Sequence, residues 1–197
     1  MANYNYEVFK RLCDRAQELV FDAISEDATF QFMYVCGLDE ALTQMTPIEQ
    51  IFYLANKIYN EQMIHNKKHN LYLDLLPQET IHIKRKNYRV DFLISYYDCD
   101  DATYYLKKPI IIEVDGKDWH SSKTQMNYDY KRENELKLAG YDILRFTGSQ
   151  VFQNPFECVS SLRNFMKNNS EVRKEDCKGR YKSMGKMLLS YEKQQGE

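Results

Sequence analysis

The chain lacks the signatures of several common protein classes. Its five cysteines (Cys13, Cys36, Cys99, Cys158 and Cys177) stand singly, with no C-x-x-C pair. That spacing argues against a zinc ribbon or a thioredoxin-like redox motif. An odd cysteine count without a signal sequence fits reduced thiols. No stretch approaches the ~18 apolar residues of a membrane span, and the polar segment Met1 to Tyr6 is no signal peptide core. The expected location is therefore the cytoplasm, with no membrane partner. Glycine (7) and proline (4) are sparse, and neither a repeat nor a low-complexity segment is present. There is no P-loop, no nucleophile elbow, no G-x-G-x-x-G and no H-E-x-x-H. A strong positive charge is missing as well. The formal net charge is -2, which counts against a strong nonspecific nucleic-acid binder. Any nucleic-acid contact must then rest on local clusters: Lys84-Arg85-Lys86, Lys107-Lys108, or Lys117 with Lys123, Lys131 and Arg132. The plainer reading of each is a solvated face.

What is present is enough for one core. The 197 residues are 43% hydrophobic, consistent with one main domain and a small appendage. Residues 4–25 read as an amphipathic helix, with Phe9, Leu12, Ala16, Leu19 and Val20 at helical spacing. Thr46-Pro47-Ile48-Glu49 opens a second helix, to about Asn60. Thr46 is its N-cap, Pro47 its first residue and Glu49 the capping-box acid. Strand signals follow at 80–86 and, after a turn at Asn87-Tyr88, at 88–96. In the latter, Val90, Phe92 and Ile94 alternate with Arg89, Asp91 and Leu93. The apolar run 109–114 reads as a central strand. A helix over 122–139 ends at Gly140, 141–146 is a further strand, and 155–167 is a helix. A short helix is expected over 184–191. The order predicts an α/β fold. Three antiparallel strands are followed by a crossover helix that returns the fourth strand parallel to the third, right-handed.

The chemistry concentrates in Glu113-Val114-Asp115-Gly116. Glu113 and Asp115 are two apart on a strand, so both carboxylates leave one face while Ile112 and Val114 leave the other. A carboxylate pair ending an apolar strand is costly unless neutralised, and a divalent cation does that. Asp91 adds a third carboxylate, opposite Glu113 if the two strands are antiparallel. Carboxylates without thiolate or paired imidazole ligands favour Mg²⁺ or Mn²⁺ over zinc. The plainer readings are a turn at Asp115-Gly116 and an Asp91–lysine pair.

These pieces, in this order, resemble the PD-(D/E)XK nuclease superfamily, and in detail its Vsr-like branch, related to very-short-patch repair endonucleases. The matching segments are TPIEQ (46–50), YRVDFLI (88–94), IIIEVDG (110–116) and Trp119-His120. Asp129, Arg132, Leu136 and Gly140 follow, and then LRFTGSQVFQNP (144–155). Together they span the middle and latter two-thirds of the chain. The resemblance implies a restriction-endonuclease-like core of mixed four-stranded sheet and flanking helices (αβββαβ). Its expected bounds are 46–168, between an N-terminal helical extension (1–45) and a polar tail (169–197).

It also implies roles. Asp91 and Glu113 are expected to bind metal through their side chains and Val114 through its carbonyl. Glu49 is expected to hold a metal-bound water, beside its capping role. The superfamily places a lysine two residues after the glutamate. Here Asp115 stands there, and the Vsr-like branch lacks that lysine too. The branch carries a Gly-x-x-Trp-His-like segment, matched by Gly116 to His120. His120 is then a candidate general acid, general base or water-orienting group. Lys117 is a candidate for stabilising phosphorane charge, with Arg132 as another unless it only pairs with Asp129. The implied activity is metal-assisted hydrolysis of DNA phosphodiesters, in repair, restriction or mobile-element biology, with RNA a weaker substrate reading. The alternative is a non-catalytic nucleic-acid- or partner-binding module on the same fold, motivated by the missing lysine and the acidic net charge. Oligomeric state is not encoded in these motifs. His65/His69, the Asp98–Asp101 loop and Trp119 carry no stronger claim than solvated or packed positions.

Overall fold

A computed structural model of the chain describes residues 8–26, 40–65, 71–99, 102–115, 123–169 and 172–175. The helix expected over 184–191 lies outside them. Helices α1 (Asp14–Glu26) and α2 (Pro47–His65) come first, joined by a 3-10 turn at Glu40–Gln44. Strands β1 (Leu71–Tyr72), β2 (Leu76–Pro77), β3 (Thr80–Ile83), β4 (Lys86–Arg89), β5 (Phe92–Cys99) and β6 (Ala102–Asp115) follow. The chain continues through α3 (Lys123–Leu138), β7 (Asp142–Thr147), α4 (Gly148–Gln153), α5 (Pro155–Asn169) and β8 (Val172–Glu175). No helix among the described residues is long and apolar enough to cross a membrane.

The main sheet has the order β1-β5-β6-β7, with β2 also on β5 and β8 on β6. β5 and β6 are antiparallel, whereas β6 and β7 are parallel, with Ile111 opposite Ile143 and Glu113 opposite Arg145. This is the mixed four-stranded sheet flanked by helices expected of a restriction-endonuclease-like fold. Strand alternation sorts β6 onto two faces. Ile110, Ile112 and Val114 join Phe52, Phe92 and Phe146 in the large core beneath α2 and α5. Ile111 joins Leu136 of α3 in a smaller core on the other face. Glu113 and Asp115 share the parity of Ile111, so they leave the sheet on the α3 side.

α2 is held at its start by the expected capping box. The Glu49 N–H donates to Thr46 Oγ1 at 3.4 Å, and the Thr46 N–H donates to Glu49 Oε2 at 3.3 Å. Residues 51–58 are all buried, so α2 is enclosed on every side. Asn56 donates its amide to the Leu73 carbonyl at 2.8 Å, while its Oδ1 is left without a hydrogen-bond partner. Asn60 brackets the Leu73 peptide, donating to its carbonyl at 3.0 Å and accepting its N–H at 3.1 Å. At the end of α3, Gly140 adopts φ +96°, while the Tyr141 N–H donates to the Leu136 carbonyl at 3.2 Å. This left-handed closure is the role a glycine serves at a helix C-terminus.

Three features differ from the sequence reading. The first helix is broken. A helical turn at 8–10 precedes α1, and between them the Cys13 N–H donates to Gln50 Oε1 at 2.9 Å. The turn between the first two strands lies at Lys84-Arg85, and Tyr88 pairs with Ile81 inside a two-stranded ribbon, β3–β4, separate from the main sheet. The expected continuous strand 88–96 is bent at Asp91. Gln78, at φ +56°, donates its N–H to the Asp91 carbonyl at 2.8 Å, and the Val90 N–H donates to the Glu79 carbonyl at 2.9 Å. The bend turns the ribbon across the sheet, so Val90 packs with Leu136 while Phe92 packs with Phe52. Simple alternation placed them on one face. Strand β8 and helix α4 were not foreseen.

Phe52 is fully buried, with its ring 5.7 Å from that of Phe92 and 5.3 Å from that of Phe146. It joins the central helix to both central and edge strands. Phe52→Ala is expected to lower the unfolding free energy by about 3–5 kcal/mol, measured by urea titration. A loss below about 1 kcal/mol would show that this core closes without it.

Candidate functional site

The bend at Asp91 and the end of β6 meet. Phe92 is opposite Ile112, so one step further along the pair brings Asp91 beside Glu113. Asp91 Oδ2 accepts the Val114 N–H at 2.7 Å. The N–H and C=O of one strand residue leave the same edge, so the Val114 carbonyl also faces Asp91, beyond the last β5–β6 pair. Glu113 is only 8% exposed. Its Oε1 accepts Arg132 Nη2 of α3 at 2.6 Å, and the same nitrogen donates to the Arg89 carbonyl at 2.9 Å. Arg132 thus ties α3, the ribbon and β6 together at the carboxylates.

Asp115 is half-buried at the end of β6, with Arg145 Nη1 3.9 Å from its Oδ2. Arg145 also reaches Glu133 of α3, at 3.4 Å. Glu49 is buried at the start of α2, where Oε2 accepts both the Thr46 N–H and the Gln78 side-chain amide. Gln78 therefore joins Glu49 to the Asp91 backbone. Lys117 and His120 lie outside the described residues, as do Gly116, Asp118 and Trp119.

The electrostatics are those of negative charge held away from water. Burial pushes Glu113 up to about 7. The Arg132 charge opposes that rise, and Asp91 adds to it. Burial raises Asp91 as well, against the Val114 N–H bond, and Asp115 adds to the rise. Asp115 and Glu49 are raised in the same way, chiefly by burial, with Arg145 opposing at Asp115 and Asp91 reinforcing at Glu49. Four carboxyl groups within mutual influence are thus held in a form that cationic neighbours would relieve.

Among the described residues, no three His, Cys, Asp or Glu side chains are gathered as a ready-made metal cluster. The donor set nearest to one is Asp91, Glu113 and the Val114 carbonyl, all hard oxygens of the kind magnesium prefers. At present Arg132 supplies the positive charge there. Sequence reasoning did not single out Gln78, Arg145 or Arg89. Arg145 had a signal: it is the only basic residue in the strand 141–146, on the parity that faces Glu113 once β7 runs parallel. Gln78 had none, because its role comes from a left-handed backbone.

The family model REase_MTES_1575, a restriction-endonuclease-like domain, matches residues 77–166. The matched span holds Asp91, Glu113, Asp115, Arg132 and Arg145, and Glu49 precedes it. No curated protein and no solved structure matches the chain. The match supports a PD-(D/E)XK-like nuclease family and suggests a nuclease. Restriction-endonuclease-like families are generally dependent on divalent metal.

A pH dependence follows from Glu113. Its carboxyl rises from an ordinary 4.5 to about 7, so the native state binds that proton more tightly than the unfolded chain. The associated stability is fully present below about 4.5 and is lost as pH rises through about 7. Unfolding free energies measured across this window should decline with pH, and Glu113→Gln should flatten the decline. A wild-type slope in that variant would show that the carboxyl is not desolvated.

Proposed function

We propose that this chain is a metal-dependent DNA endonuclease of the Vsr-like branch, with Asp91, Glu113, the Val114 carbonyl and Asp115 at its metal site. The observation that carries the reading is the meeting of Asp91 and Glu113 at the end of β6, both desolvated and both raised in pKa. The residues fit a magnesium or manganese ion on this ground. A buried carboxylate, a half-buried one and a carbonyl supply hard oxygens, and the charge they hold calls for a cation. When bound, such an ion lowers the pKa of a water ligand and polarises the scissile phosphate.

The chain's own groups do the positioning. The Val114 N–H fixes one Asp91 oxygen, leaving the carboxylate aimed along the end of β6. Arg132 orients Glu113 and lies where the charge of a phosphate would arrive. Arg145 performs the same service for Asp115 from β7. Glu49, carried to the site by Gln78, is suited to hold a water. In the reaction the water gives up one proton as its oxygen bonds to phosphorus, the P–O ester bond breaks, and the leaving oxygen takes up a proton. His120 is proposed for that proton transfer and Lys117 for the charge on the phosphorus centre. Repair, restriction or mobile-element biology would suit such an enzyme in the cytoplasm.

One observation favours a second reading. Arg132 already satisfies Glu113, and among the described residues no three-ligand cluster stands preformed. A non-catalytic nucleic-acid-binding module would need nothing more. Two measurements separate the readings. The purified chain should cut duplex DNA with Mg²⁺ or Mn²⁺ and stop in EDTA. Asp91→Ala or Glu113→Gln should reduce cutting by more than the roughly 10–100-fold typical of an outer-shell partner. Calorimetry should show magnesium binding that Glu113→Ala abolishes. Equal cutting by wild type and Asp91→Ala would overturn the enzyme reading, and so would an absence of metal binding in the wild type.

A further inference from the structure

The chain is slightly acidic, yet one element is not. Residues 80–89, the β3–β4 ribbon, carry Lys84, Arg85, Lys86 and Arg89 and no carboxylate. The two faces of the ribbon differ. Ile81 and Tyr88 are buried with Leu136, and Lys86 donates to Glu135 of α3 at 2.6 and 2.9 Å. Tyr88 donates to the same carboxylate. That face is anchored to α3. Thr80, His82, Asn87 and Arg89 are exposed on the other face, where His82 Nδ1 and Asn87 Oδ1 are 2.7 Å apart. Lys84 and Arg85 form the exposed tip, and Lys84 holds φ +56°. That is a conformation glycine takes freely and lysine does not. It is what the first central residue of a tight two-residue hairpin turn requires, and it holds both basic side chains at the tip.

The position of the ribbon is as informative as its charge. It leaves the main sheet at the Asp91 bend, and the Arg89 charge acts on both Asp91 and Glu49. The anchored ribbon therefore projects from the edge of the carboxylate site. Two paired strands lie about 4.8 Å apart, and the B-form major groove, about 12 Å wide, admits such a two-stranded ribbon. A phosphate backbone would meet the Lys84-Arg85 tip, and base edges would meet the hydrogen-bonding face.

We propose that the β3–β4 ribbon is a DNA-docking arm that enters the major groove beside the cleavage site, with Lys84 and Arg85 on the phosphates and His82, Asn87 and Arg89 toward the bases. The proposal takes its target from the nuclease reading. A duplex RNA is the poorer fit, because its major groove is deep and narrow.

Fluorescence anisotropy with a short DNA duplex in EDTA measures binding without cutting. The full chain, a Lys84→Gln/Arg85→Gln variant and a Lys10→Gln/Lys167→Gln control are compared across 50–200 mM salt. The control removes the same charge from exposed helical positions outside the ribbon, in the turn at 8–10 and in α5. The ribbon variant should lose about 1.8 from the salt slope, which is about a twelvefold smaller loss of affinity over that range. The control should retain the full slope. Matching melting temperatures establish that the variants fold. No binding by the parent, equal slopes in all three chains, equal losses in both variants, or equally ribbon-dependent binding to duplex RNA would each overturn the arm. Cutting is measured separately in Mg²⁺. A parent that binds through the ribbon but does not cut leaves the arm standing and removes the nuclease. A parent that cuts while the ribbon variant binds as well as wild type does the reverse.

Discussion

The structure is organised around buried negative charge at the end of β6. Glu113 follows the buried run Ile110-Ile111-Ile112 on β6, and burial raises it more than Arg132 lowers it. An isolated carboxylate there would be untenable or protonated. Its neighbours account for how it is tolerated. α3 runs across that face and delivers Arg132 to Glu113. β7 runs parallel beside β6 and delivers Arg145 to Asp115. The ribbon's own backbone carbonyl at Arg89 holds Arg132 in place. Three separate elements are thus committed to one electrostatic problem.

That commitment bears on function. A buried ion pair such as Arg132–Glu113 is weak support for stability, because desolvation offsets much of the attraction. A hydrophobic pair would serve packing as well. The arrangement is intelligible if charge at this point is needed for something besides folding. The match to a restriction-endonuclease-like domain over 77–166 spans this cluster. On the proposed nuclease reading the guanidinium has two uses at one site: it neutralises Glu113, and it stands ready for a phosphate.

Much of this was legible in the residues. Parity placed Glu113 and Asp115 together on one face, and a helix of suitable length between 109–114 and 141–146 required a parallel return. Thr46-Pro47-x-Glu49 marked a helix start, and Gly140 marked an end. These are local rules acting over a few residues, and tertiary packing did not override them. What was hidden depends on non-local geometry. The bend at Asp91 arises because Gln78, thirteen positions earlier, adopts a left-handed conformation and bonds across the ribbon. No alternation pattern contains that information, so Val90 and Phe92 were assigned to one face. β8 is short and highly charged, and it forms a strand because β6 extends back to Ala102 and offers an edge from 103 to 106.

The bend also resolves how Glu49 can serve two roles that the sequence set against each other. Its capping function uses Oε2 toward Thr46, and the same oxygen accepts the Gln78 amide. Gln78 in turn donates its backbone N–H to the Asp91 carbonyl. The cap and the site are therefore mechanically linked, and the Asp91 charge adds to the rise that burial causes at Glu49. A non-glycine residue at positive φ costs of order 1–3 kcal/mol, and Gln78 bears that strain where the helix start, the ribbon and the carboxylates converge. A glycine would relieve the backbone but lose the amide. The side chain at 78 is thus the element that makes the helix cap of α2 part of the carboxylate site.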